Sequence, residues 1–208
     1  MTRKTSGDAP IVLAITGASG APYGVRLLEQ LLIAERRVSL IVSSHGYRLL
    51  RTESEIADLA ALRAAVGERR FDTFVTVHDD ADRGAAPASG SALVGGMVIC
   101  PCSMGTLASI AAGTSRSLVE RAADVALKER RTLLLVTRET PLSLIHLENM
   151  RRVTLAGAVV MPAAPGFYHR PTSIAELVDF IVARVLDHLD VPNTLAPRWG
   201  DGAPDEQR

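Results

Sequence analysis

Short, unbroken aliphatic runs alternate with longer amphipathic stretches along almost the whole chain, and few architectures tolerate that pattern. The runs are Ile11–Ile15, Val38–Val42, Gly96–Cys100, Leu133–Val136 and Ala158–Met161, with Phe74–Val77 a weaker sixth. Main runs that are continuous and not alternating, with Ser39 the one polar residue in Val38–Val42, suit strands covered on both faces. Helical patterns lie between the runs, so the βαβ rule predicts an α/β fold: a single-domain, doubly wound parallel sheet of Rossmann-like type. The domain is expected over 10–191. A flexible N-terminus, 1–9, precedes it, and a tail rich in Pro, Gly and charge, 192–208, follows with the single tryptophan, Trp199.

Only 4 Phe, 3 Tyr and 1 Trp occur in 208 residues that are 47% hydrophobic, so the core must be aliphatic. Lys plus Arg and Asp plus Glu both total 23, which leaves no net field to attract nucleic acid or a membrane surface. No stretch has the roughly 20 apolar residues of a membrane span. The opening segment lacks a signal-peptide core. Cys100 and Cys102 sit too close together to staple distant parts of a fold. A cytoplasmic, reducing setting is expected.

Two helix starts are legible as Ser-x-x-Glu, at Ser117/Glu120 and Ser173/Glu176. The last helix shows a stripe of Ile174, Leu177, Val178, Ile181, Val182, Val185, Leu186 and Leu189, with Arg184 at its margin.

The turns after the strands carry the chemistry, because open α/β sheets bind ligands beyond the carboxyl ends of their strands. They read Thr16–Gly20, Ser43-Ser44, Pro101–Thr106, Arg138–Pro141 and Pro162–Pro171, rich in Gly, Ser and Thr with arginines nearby. That composition suits a phosphate or nucleotide pocket. Gly17, Gly20 and Gly24 permit close backbone approach, and the helix that follows would offer free N–H groups to an anion. The second strand ends in Ser43-Ser44 without a carboxylate for a ribose, and no Tyr-x-x-x-Lys occurs, which disfavours a nicotinamide dehydrogenase.

Arg121, Asp124 and Lys128 share a helix face. They form either a surface ion pair or a pair of cations facing an anionic substrate, and composition alone favours the former. Asp79, Asp80 and Asp82 read as a solvated turn, the two thiols do not complete a tetrahedral set, and the histidines are scattered, so no metal is expected. Glu53 and Glu139 are the carboxylates at the predicted crevice.

With these turns assembled, the sequence resembles the flavin prenyltransferase family, the UbiX/Pad1 proteins. The resemblance rests on ITGASGAPYGVRLL (Ile15–Leu28), ICPCSMGTLASIA (Ile99–Ala111), LVERAADVALKERR (Leu118–Arg131), VTRETPLSLIHLENM (Val136–Met150) and MPAAPGFYHRP (Met161–Pro171). It implies a flavoprotein that joins a dimethylallyl group to reduced FMN through N5 and C6, without metal. The donor would be dimethylallyl monophosphate or the diphosphate. The product, prenylated FMN, would serve a UbiD-type decarboxylase, and the protein would be a homo-oligomer, often a dodecamer in the family, with sites at subunit contacts.

By the same resemblance, Gly17, Ala18, Ser19, Ser43, Ser103, Met104, Gly105, Thr106 and Arg138 match flavin-binding positions. Gly90, Arg121, Lys128, Arg138, Glu139, Tyr168 and Arg184 match the allylic phosphate site, which reverses the surface-pair reading. Tyr168 and Trp199 match an aromatic wall, and Glu53, assisted by Ser19 and Glu139, a proton-handling carboxylate; Lys128 counts with the catalytic group. Some relatives carry Lys where Gly105 stands and His where Ser143 stands. The alternatives are a flavin-dependent cysteine decarboxylase, against which Pro101–Thr106 and Met161–Ala164 speak, and a non-catalytic flavin carrier.

Overall fold

A computed structural model describes residues 9–196. Six strands form one sheet: β1 (Ile11–Ile15), β2 (Val38–Val42), β3 (Val75–His78), β4 (Gly96–Cys102), β5 (Leu133–Thr137) and β6 (Val159–Pro162). Every pairing is parallel, in the order β3-β2-β1-β4-β5-β6. β1, β2, β4 and β5 are buried at every position, as their unbroken apolar runs require. The weak sixth run becomes edge strand β3, whose part-exposed residues explain its fainter signal.

β4 reaches two residues further than the run Gly96–Cys100 predicts. Pro101 has no N–H for the ladder, and the register with β5 shifts between Ile99 and Cys102. Cys100 and Cys102 are both fully buried there as free thiols.

Helices cover both faces. On one face pack α1 (Ala21–Ile33), α2 (Ser44–Ser54), α3 (Leu59–Val66), α4 (Glu68–Phe74) and α8 (Ile174–His188). On the other lie α5 (Met104–Ala112), α6 (Leu118–Lys128) and α7 (Leu144–Ala156). The cores are aliphatic; Phe71 is the one aromatic among the described residues in the fully buried class. Burying a leucine such as Leu27 or Leu31 contributes roughly 1.5–3 kcal/mol, so Leu31→Ala would cost about 2–5 kcal/mol. A Cβ on Gly24 would stand 2.5 Å from the Cys100 carbonyl oxygen, so glycine there lets α1 seat against the sheet.

α8 buries Val178, Ile181, Val182, Val185 and Leu186, but Ile174, expected in the stripe, is 78% exposed at the first turn. Arg26 clamps Asp179 through two hydrogen bonds of 2.7 and 3.1 Å, tying α1 to α8. Ser117 and Ser173 cap α6 and α8 as expected. Their glutamates instead reach the residue before the cap: Glu120 accepts from Arg116 N at 2.7 Å and Glu176 from Thr172 N at 2.8 Å. The reciprocal capping box belongs to Ser143 and His146 on α7, a Ser-x-x-His spacing that a Glu/Gln rule passes over.

Asp80 departs from the solvated-turn reading: its side chain accepts from Val119 N at 3.0 Å and its carbonyl from Leu118 N at 2.7 Å. It thereby tethers the start of α6 to the loop after β3. No helix among the described residues is long and apolar enough to cross a membrane.

Candidate functional site

Strand order reverses beside β1, where β2 continues one way and β4 the other, and this opens a crevice at the carboxyl ends of the strands. The turns there are knitted together. Thr16, 2% exposed, donates from its N–H at 3.2 Å and its Oγ1 at 2.9 Å to the Pro101 carbonyl, and its Oγ1 accepts from Ser103 N at 3.0 Å. Ser43 N donates to Ile15 O at 3.0 Å, and Ala163 N to Thr137 O at 2.7 Å. The predicted turns therefore share one edge.

Two helix N-termini face that edge with serine caps. Ser43 Oγ accepts from Gly46 N at 3.0 Å on α2, and Ser103 Oγ from Thr106 N at 3.2 Å on α5, where Thr106 Oγ1 lies 3.0 Å away. Around a Cβ built on Gly105 the nearest atom is Ser103 Oγ at 3.9 Å, so the first turn of α5 is uncovered. Hydroxyls and backbone N–H groups at helix starts are what an FMN phosphate needs, and the set Ser43, Ser103 to Thr106 fits it.

The first turn departs from expectation. α1 does not keep its leading N–H groups for a ligand: Gly20 N and Ala21 N both donate to Glu53 Oε2, at 2.7 and 2.9 Å. Gly20 takes φ 117° to aim its N–H that way. The positive end of a helix draws the nearest anion, and here that is the protein's own carboxylate. Glu53 lies within the last turn of α2, not beyond it. Partial burial pushes its carboxyl up, but donation from Gly20, Ser19 and Ala21 with the charge of Arg138 outweighs this and holds it below the usual carboxylate range.

Arg138, at the end of β5, crosses the crevice to donate through Nε to the Ser19 carbonyl at 3.2 Å. Its NH1 stands 3.8 Å from Glu139 Oε1, which also accepts from Thr140 N at 3.1 Å. Ser19, Glu53, Arg138 and Glu139 thus form one connected group spanning β1, α2 and β5. Gly17 lies against His45, whose Cβ is 2.5 Å from where a Gly17 Cβ would stand. Sequence reasoning did not place His45 here; its position two residues after Ser43 is the signal.

Tyr168, 60% exposed, packs edge-on against Phe180 with ring centroids 5.9 Å apart. Phe180 stands one helical turn before Arg184, which pairs with Asp187 at 3.2 Å. Neither Phe180 nor its stacked neighbour His169 was singled out from sequence.

Gly90 and Lys128 form a separate group, with Arg121 about two turns earlier on α6. Lys128 pairs with Glu129, and both lie over Gly90: a Cβ there would be 2.8 Å from Lys128 Nζ and 2.6 Å from Glu129 Oε1. Arg131 donates to the Gly90 carbonyl at 2.6 Å, just before β5 begins. Gly90 and the end of α6 therefore sit at the amino edge of the sheet, while β4, seven residues long, spans roughly 20 Å to the crevice. Arg121 pairs with Asp124 at 2.7 Å, the surface-pair geometry. α6 and α8 lie on opposite faces, so one chain does not bring Arg121 and Lys128 to Arg184 and Tyr168. Trp199 lies outside the described residues.

Among the described residues no three His, Cys, Asp or Glu side chains are grouped to hold a metal ion. A cavity of about 220 Å³ lined by Leu127, Arg130, Arg131, Thr132, Ala156 and Gly157 opens at the amino edge, apart from the crevice.

Residues 1–186 match the family model described as Flavoprotein. Flavin prenyltransferase UbiX of Pseudomonas aeruginosa is 49% identical over 207 residues, covering 94% of this chain and 96% of that one. Among solved structures, AnUbiX (PadA1) in complex with FMN and dimethylallyl pyrophosphate is 40% identical with a TM-score of 0.86, over 94% of this chain and 100% of that one. A dodecameric FMN-dependent UbiX-like decarboxylase from Escherichia coli O157:H7 is 39% identical with a TM-score of 0.82, over 91% of this chain and 98% of that one.

Proposed function

The chain belongs to the flavin prenyltransferase family of UbiX type, and from that premise we propose how its residues join a dimethylallyl group to reduced FMN. The observation that carries the reading is the connected group Ser19, Glu53, Arg138 and Glu139 at the switch-point crevice. FMN is the acceptor: its N5 and C6 take the allyl group, and phosphate leaves the donor. Ser43 and Ser103 to Thr106 hold the FMN phosphate at the starts of α2 and α5, and Arg138 binds beside the ring system.

Glu53, kept ionised at neutral pH by its donors, takes the proton released at ring closure. Glu139 and Ser19 assist. Arg138 and Arg184 with Arg121 and Lys128 balance the charge of the departing phosphate. Tyr168 turns a π face to the allylic cation.

The cations split between the two sheet faces call for a second copy. We assign Gly90, Arg121 and Lys128 of one subunit to the crevice of another within a homo-oligomer, the dodecamer being the expected form. The exposed apolar residues Leu144 and Ile145 on α7, 73% and 71% exposed beside the Arg138 turn, supply a contact face for it. The donor is assigned as dimethylallyl monophosphate, with the diphosphate as competitor, and the product passes to a UbiD-type decarboxylase in the cytoplasm.

The test is anaerobic incubation with reduced FMN and either donor, followed by mass spectrometry of the flavin. A flavin heavier by one dimethylallyl group is expected; unmodified flavin with both donors overturns the reading. The Escherichia coli relative is named a decarboxylase, so CO₂ release from cysteine-containing and aromatic acids is measured alongside; release with unaltered flavin would favour that second reading. A carrier would bind FMN and do neither.

A further inference from the structure

The segment between β6 and α8 sets two rings, Tyr168 and His169, against Phe180 of α8, in a chain where Phe, Trp and Tyr make up 4% of residues. His169 and Phe180 stack with rings parallel within 1° and centroids 5.3 Å apart. Tyr168 meets both edge-on, at 5.5 Å from His169 and 5.9 Å from Phe180. Such centroid spacings and edge-to-face angles are the favourable ones for aromatic pairs. Gly166 makes room: a Cβ there would stand 2.9 Å from Tyr168 Cε1 and 3.1 Å from Phe180 Cζ. The segment is pinned on its far side by Glu176, which accepts from Thr172 N at 2.8 Å and Thr172 Oγ1 at 2.9 Å.

This cluster is not core filling, since Tyr168 is 60% exposed while the sheet faces are packed with aliphatic side chains. Among the described residues His169 Nδ1 is buried without a hydrogen-bond partner, while the imidazole face rests on the Phe180 ring. We infer that His169 and Phe180 are positioning residues: their stacked pair is a seat that fixes the ring of Tyr168 against the donor. The inference rests on the proposed placement of Tyr168 at the allylic group and names what holds it there. A ring left to rotate would meet the donor in many poses, and small misplacements near a reacting centre cost rate steeply.

The experiment compares His169→Ala, His169→Phe and Phe180→Ala with the unaltered protein in the anaerobic assay. For His169→Ala and Phe180→Ala, KM for dimethylallyl monophosphate should rise about tenfold while the Kd for FMN stays within about twofold. His169→Phe keeps the flat face and should return KM to within about twofold of the unaltered value. An unmoved KM in His169→Ala overturns the seat; so does a His169→Phe variant as impaired as His169→Ala, which would give the role to the nitrogen. Crystal structures of the variants read the seat directly: in His169→Ala the Tyr168 ring should leave its edge contact with Phe180, and an unmoved ring overturns the inference. Tyr168→Ala run in parallel separates the two layers. If it leaves donor use unchanged, the placement of Tyr168 in the proposed function falls, whatever the ring position in His169→Ala says of the seat.

Discussion

The crevice around Glu53 and the patch around Lys128 are built from the same residue types, yet only one is organised inside a single chain. At the crevice, partners come from far along the sequence: Glu53 with Gly20 and Ala21, Arg138 with Ser19. On α6 each cation pairs with a carboxylate within three residues, Arg121 with Asp124 and Lys128 with Glu129. Long-range pairing fixes a geometry, because the fold must be complete before it exists. Local exposed pairs are worth little and are readily exchanged. A set of cations held only by such pairs is ready to swap partners when an anion or another subunit arrives.

Glu53→Gln should have the largest effect. Prenylated product should form about 10²–10⁴-fold more slowly with FMN still bound, as read by anaerobic stopped-flow, because acid–base help is lost. A carboxyl held below its ordinary value of about 4.3 contributes fully above that pH and loses its contribution as pH falls through the lowered folded value. Urea unfolding between pH 6 and 3 should therefore fall less steeply for Glu53→Gln than for the unaltered chain.

Placing charge on the α7 face by Leu144→Asp with Ile145→Asp should dissociate the proposed oligomer in sedimentation runs and remove most activity, though neither residue belongs to the crevice. Monomers with full activity would confine the whole site to one chain and erase the contrast drawn above. Lys128→Ala should raise donor KM roughly tenfold without changing FMN affinity. Mixing it with Glu53→Gln should restore part of the lost turnover if the two residues meet across subunits, whereas no recovery would place them in one chain. The smallest effect is expected from Ser143→Ala, which removes the α7 cap and should cost about 1 kcal/mol in chemical denaturation.

The central strands β1, β2, β4 and β5 were readable because burial on both faces writes itself as continuous apolar runs, whereas the part-exposed edges β3 and β6 carry less of that signal. What failed were features decided by a distant group. The start of α1 looked open to a ligand, and nothing local reveals that Glu53, 33 residues on, closes it. Asp80 looked like a solvated turn because its partners on α6 lie 38 and 39 residues away. Ile174 matched the α8 stripe by spacing, but the first turn overhangs the core. Among candidate site residues, Ser19 in the turn after β1 and Arg138 and Glu139 after β5 came together with Glu53, as the topology of the strand ends allows. The motif that gave Arg121 and Lys128 is local to α6 and carries no word on which subunit it serves.

The two thiols of β4 bear on selectivity. Burial pushes both up, Cys102 to about 12 and Cys100 beyond it, so neither presents a thiolate at any physiological pH. They adjoin Ser103, at the carboxyl end of β4 where α5 begins. Sealing Cys100 and Cys102 in the sheet keeps both thiols covered and protonated, so the strand that ends at the crevice presents no reactive sulfur to it.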